Sequence, residues 1–123
     1  MTRNRASAKA AGSSFERSTA DYLAAVLHDP GIDRQVKTGA HDKGDIRGVT
    51  IHGQRVAVEC KNTAKVQLSV WASEAEAERI NLAALAGVTV HKRHGKGRAA
   101  DQWVTLTLRD FAAILSGVRP EDA

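Results

Sequence analysis

Thirteen residues separate Asp45, which opens one apolar run of the chain, from the string Glu59-Cys60-Lys61, which closes the next. In an extended strand, residues two apart leave the same face, so Glu59 and Lys61 project together while Val58 and Cys60 turn to the other side. Paired carboxylates hold a hard divalent cation through oxygen. An ammonium beside them orients or activates water and offsets negative charge that develops on a phosphoryl group. The chemistry that suits such a set is hydrolysis of a phosphodiester.

The element that must position these groups is a hairpin with arms over residues 45–51 and 54–61. Asp45 and Glu59 share an ion only if they leave the same face, as directly opposed residues do. A two-residue turn at His52-Gly53 would set Asp45 opposite Cys60. A three-residue loop, Ile51-His52-Gly53, pairs Thr50 with Gln54 and therefore Asp45 with Glu59. That loop class wants glycine at its third, left-handed position, and Gly53 is there.

A third carboxylate belongs to the helix expected over residues 14–28. Phe15, Tyr22, Leu23, Val26 and Leu27 form its apolar face, and Pro30-Gly31 ends it. Ser13 and Glu16 have capping-box spacing. Leu23 and Leu27 also fall about 20° to either side of Glu16 at 100° per residue. Glu16 therefore faces inward at one end of the stripe, where a carboxylate needs a partner. A short strand is expected over 34–37, a glycine-containing loop over 38–44, and a second helix over 69–86 with Gly87 as its C′ residue. Strands over 88–93 and 103–108 and a last helix over 109–116, capped by Thr107 and Asp110, complete the order αβββαββα. The fold class is α/β, a mixed sheet flanked by helices.

The chain has 123 residues, 42% apolar and 26% charged, which suits one soluble domain of ordinary composition. No apolar stretch reaches the roughly 20 residues of a membrane helix, and the N-terminus lacks the apolar segment of a secretory signal. A single cysteine makes neither an intramolecular disulfide nor a cysteine-rich zinc site, so a cytoplasmic setting (bacterial, archaeal or viral) is expected. Net charge is +4, yet seven cations sit in two segments free of acids: Arg3, Arg5 and Lys9, then Lys92, Arg93, Lys96 and Arg98. Clustered positive charge favours a polyanion. Residues 1–13 read as a basic flexible arm and residues 14–123 as the single domain. Gly95-Lys96-Gly97 lacks the spacing of a nucleotide-binding loop. His91 and His94 read as solvated loop residues, whereas His41 and Asp42 are candidates for supporting or substrate contacts near Asp45. Trp71, Trp103 and Phe111 read as core. With aromatics at 4%, duplex or branched DNA held by its backbone fits better than a stacked single strand.

Taken together, Glu16, Thr38-Gly39-Ala40 ahead of Gly44-Asp45, and Glu59-Cys60-Lys61 resemble the PD-(D/E)xK nuclease superfamily. Within it they are most similar to archaeal-type Holliday junction resolvases (the Hjc-like branch) and viral relatives, over about residues 15–108. The resemblance implies a restriction-endonuclease-like fold and a Mg²⁺ site, with Mn²⁺ able to substitute. Carried over, Asp45, Glu59 and the backbone carbonyl of Cys60 bind the ion, Lys61 assists the attacking water, and Glu16 completes the site. It further implies a homodimer that cuts four-way DNA junctions during recombination and repair. Other nucleases of the superfamily act on flaps, nicks or duplexes, and a non-catalytic DNA-binding module would keep only the basic segments. Gly44 departs from the pattern, since many members carry proline there.

Overall fold

The computed structural model describes residues 4–37 and 39–121; Arg3 and Thr38, both named above, lie outside them. The chain runs α1 (Arg5–Val26), β1 (Asp33–Arg34), β2 (Ile46–Arg47), β3 (Thr50–Ile51), β4 (Gln54–Lys61), α2 (Leu68–Leu82), β5 (Ala86–His91), β6 (Trp103–Thr105) and α3 (Leu108–Ser116). The six strands form one mixed sheet in the order β1-β2-β4-β5-β6, with β3 paired to the start of β4. Only β4 and β5 are parallel, joined by α2; the other pairs are antiparallel. This is the expected α/β class, with one strand more than the expected order because the first hairpin arm is broken in two.

The two central strands are covered on both faces, which is why their burial does not alternate: Val56 to Glu59 and all of Ala86–His91 are buried. Toward α1, Phe15 and Ala20 pack on Ile32, Ile46, Val56, Val58, Val88 and Val90. On the other face α2 lies so close that a Cβ on Gly87 would stand 2.6 Å from the Ala75 carbonyl oxygen. Trp71 and Ala75 are buried there.

Three sequence expectations are corrected by the structure. First, residues 5–13 are helix rather than arm. Asn4 accepts from the Ser7 amide and Ser7 Oγ accepts from the Asn4 amide, closing a capping box nine residues ahead of the expected one. Alanines at 6, 8, 10 and 11 carry the helix through a stretch with no apolar face. Second, the hairpin turn has two residues. His52 and Gly53 have φ of 54° and 70°, and Ile51 pairs with Gln54. The parity is restored further along, because Thr50 opposes Arg55 whereas Ile46 opposes Val58. One extra residue therefore sits between Arg47 and Thr50. It is a bulge built on Gly48 at φ 85°, where a Cβ would meet the Gly31 carbonyl oxygen at 2.5 Å. Third, α2 ends at Ala83 in the left-handed conformation, and Gly87 belongs to β5.

The expected cap of α3 is present, with Thr107 accepting from the Asp110 amide. Asp110 is buried, takes the Gly87 amide on one oxygen and is bound by Arg119 at 2.6 Å on the other. Removing that guanidinium strands a carboxylate in the interior. Arg119→Ala is expected to lower stability at neutral pH by about 2 kcal/mol, read from urea unfolding with an unchanged m-value. Trp71 is core as expected, but Trp103, on the edge strand β6, and Phe111 of α3 are 48% and 47% exposed. No helix among the described residues is long and apolar enough to cross a membrane.

Candidate metal centre

Three carboxylates meet beside the C-terminal half of β4. Asp42, Glu59 and Glu78 each offer one oxygen, and these oxygens all lie within 4.8 Å of one another. Each comes from a different element. Glu59 is delivered by β4 to the face that α2 covers. Glu78 continues the stripe of Trp71 and Ala75 along α2, at spacings of four and three. Asp42 sits in the loop before β2, pinned twice: its Oδ1 accepts the Gly44 amide at 2.9 Å, and its carbonyl accepts from the Asn81 amide group at 2.8 Å.

Glu59 and Glu78 are only 6% and 2% exposed, and Glu78 Oε2 has no hydrogen-bond partner. Burial first, then the nearby charges of Asp42 and Asp45, push the Glu78 carboxyl up to about 8. Buried, mutually repelling oxygens with an unsatisfied acceptor fit a hard divalent cation, which neutralises the charge and fills the empty lone pair. Two of these residues, Glu78 and Asp42, were not assigned as ligands from the sequence. The signal for Glu78 was available: it occupies the same kind of inward helical position that singled out Glu16.

The residues expected to form the site are distributed around this trio. Asp45 is buried and level with Glu59 in the β2–β4 register, one step beyond the Ile46–Val58 pair. Its carboxylate accepts the Cys60 amide at 2.8 Å and pairs with Lys37 at 3.0 Å. A strand amide points in the sheet plane, so the Asp45 carboxylate lies at the sheet margin and not above it with Glu59. Hydrogen bonding to Asp45 raises the Lys37 ammonium above its ordinary range. Glu16 lies on the α1 side, paired with Arg34 at 3.3 Å; burial, then Asp45, raises its carboxyl. Lys61 shares the Glu59 face and is bound to Glu74 of α2 at 2.6 Å. Cys60 is a half-buried strand residue whose thiol burial pushes up to about 12, so only its backbone is available to an ion at neutral pH. Gly44 has φ 95°, and a Cβ there would meet the Val58 carbonyl at 2.9 Å. Proline, with φ near −65°, cannot adopt that conformation. The glycine is thus tied to how this loop enters the site.

The basic residues gather at the same end of the sheet. The Lys92 amide donates to the Lys61 carbonyl, and His94 bonds the Thr63 carbonyl at 3.0 Å, so the β5–β6 loop sits directly beside the exit of β4. His91, in contrast, is buried in β5 against Trp71 and bonded to Thr105, not solvated. Because Cys60 near the end of β4 lies against Thr19 and Glu16, the first turns of α1 project past that end. At 1.5 Å per residue, Lys9 and Arg5 stand about 10 and 16 Å along the axis from Glu16. Comparison with known proteins adds no family assignment: no family model, no curated protein and no solved structure matches this chain.

Proposed function

We propose that the protein is a Mg²⁺-dependent DNA endonuclease whose ion is held by Glu59, Glu78 and Asp42, with Asp45 and Lys61 beside them. The observation that carries this reading is the convergence of three carboxylate oxygens, two of them on buried side chains, from a strand, a helix and a loop. When bound, the ion would polarise the phosphoryl group and lower the pKa of water. Lys61 leaves the strand on the Glu59 face, where its ammonium orients the attacking water and balances charge on the phosphate once it exchanges Glu74 for substrate. Asp45 holds Lys37 next to the site, a second cation for the strand being cut. Arg5, Lys9, Lys92, Arg93, Lys96 and Arg98 supply sequence-independent affinity that falls with salt.

The favoured substrate is a four-way junction cut symmetrically by a homodimer, an assignment resting on the resemblance of the Glu16, Asp45 and Glu59-Cys60-Lys61 pattern. The exposed apolar stripe Leu108, Phe111 and Leu115 of α3 supports a second copy. One specific feature favours a rival, a DNA-binding module without catalysis: Asp45, Lys61 and Glu16 are each ion-paired.

The deciding experiment incubates wild type, Asp45→Asn and Lys61→Ala with Mg²⁺ and matched junction, flap and linear duplex. We expect junction cleavage by wild type, a loss of about 10²-fold in Lys61→Ala, and unchanged binding. Wild type and variants that bind alike but are all inert would establish the binding module. Duplex cut as readily as junction would remove the resolvase label.

A further inference from the structure

We infer that Trp103, backed by Arg93, is a stacking platform for an unpaired nucleobase, so that the preferred nucleic acid carries a single-stranded or extruded nucleotide next to the scissile strand. The inference rests on the nuclease reading for its location, not for its chemistry.

The strand registers place Trp103 on the working face. Lys61 pairs with His91 and His91 with Trp103, so the three form one row across β4, β5 and β6. Directly opposed residues leave the same face, so Trp103 shares the face of Lys61 and Glu59. Two strand spacings put its backbone about 10 Å from that of Lys61. Arg93 holds its guanidinium 4.5 Å from the indole centroid, and even with that ring face occupied Trp103 stays 48% exposed. An exposed indole carrying a stacked guanidinium presents a polarisable surface with positive charge, which matches a base and its phosphate.

The surrounding loop is set in advance. Gln102, the residue before Trp103, uses its whole amide group to hold it. Its oxygen accepts the Arg93 amide at 2.7 Å, and its nitrogen donates to the carbonyls of Lys96 and Arg98 at 3.0 and 2.7 Å. The backbone carrying Lys92, Arg93, Lys96 and Arg98 is therefore wrapped around one side chain, with no acid inside it. Such a loop loses little freedom when it clamps phosphates, and it delivers the strand to the indole.

The experiment is run in EDTA, so cleavage is not involved. Binding of an oligodeoxynucleotide with an unpaired stretch is compared with that of a fully paired duplex of the same sequence. Wild type, Trp103→Ala, Trp103→Leu and Lys96→Ala are used, and tryptophan emission is recorded for wild type. We expect quenching by the unpaired probe, a loss of roughly tenfold or more in its affinity for both Trp103 variants, and little change on duplex. Lys96→Ala should weaken both probes alike. Leucine keeps apolar bulk under Arg93 but has no π-face, so full affinity in Trp103→Leu overturns the inference, as does unpaired DNA that binds without quenching. Tryptophan-dependent binding together with an inert wild type in Mg²⁺ would sink the nuclease and leave the platform standing; cleavage without tryptophan dependence would do the reverse.

Discussion

Glu59→Gln is expected to lower Mg²⁺-dependent DNA cleavage by about a thousandfold or more and to abolish the rise in melting temperature that the cation gives wild type. Glu59 is the one residue of the trio seen in the fold that the sequence reading assigns as an ion ligand. Glutamine keeps its shape and removes its charge. With one of three carboxylates neutral, the ion loses both a ligand and much of its attraction, and a transition state deprived of about 4 kcal/mol slows a thousandfold. The metal-free variant should be no less stable than wild type, because a carboxylate buried beside Asp42 and Glu78 has gone. That comparison separates lost chemistry from lost folding. Cleavage by Glu59→Gln at the wild-type rate would place the active centre elsewhere.

The second large effect concerns pH. Glu78 has a folded pKa of about 8 against an ordinary 4.5, so the unfolded chain releases its proton first as pH rises. Its contribution to stability is complete below about pH 4.5 and is lost as pH climbs through 8. Burial also lowers His91, which acts with the opposite sign, gaining stability up to about its ordinary 6.5. The two offset each other in the acid range. Above pH 6.5 the His91 contribution is complete and no longer offsets that of Glu78. Without divalent ions, wild type should lose roughly 1 kcal/mol between pH 6.5 and 8, a figure discounted for water that reaches the site through exposed Asp42. Urea unfolding at pH 6.5 and 8 measures the decline in wild type, and Glu78→Gln should show almost none of it. Added Mg²⁺ should flatten the wild-type slope, since binding only the folded, deprotonated site stabilises it by mass action. An equal slope in Glu78→Gln would mean that the carboxyl is not the group responsible.

How much of this was legible beforehand differs by residue. The level pairing of Asp45 with Glu59 was read correctly through an incorrect device: a three-residue loop was expected, whereas a tight turn and a bulge at Gly48 reach the same parity. Parity follows from which faces are buried, and many backbone routes satisfy it. Glu78 escapes the sequence reading because the inward-position argument was applied to the first helix alone, although the Trp71–Ala75 stripe of α2 runs straight to it. Asp42 depends on a loop held by Asn81, 39 positions away, and no local pattern carries that contact. The start of α1 was missed for a different reason. Periodicity detects helices that bury a face, and residues 5–10 bury nothing.

That last property has a mechanical meaning. A helix that runs on into solvent, continuous with the part seated on the sheet, is a cantilever and not a tether. Its two cations, Arg5 and Lys9, occupy fixed stations on one rod, and their spacing is counted in helical turns. Adding or removing one full turn would slide the footprint by about 5.4 Å along the same side. A change of two residues would swing those charges to the far side of the rod.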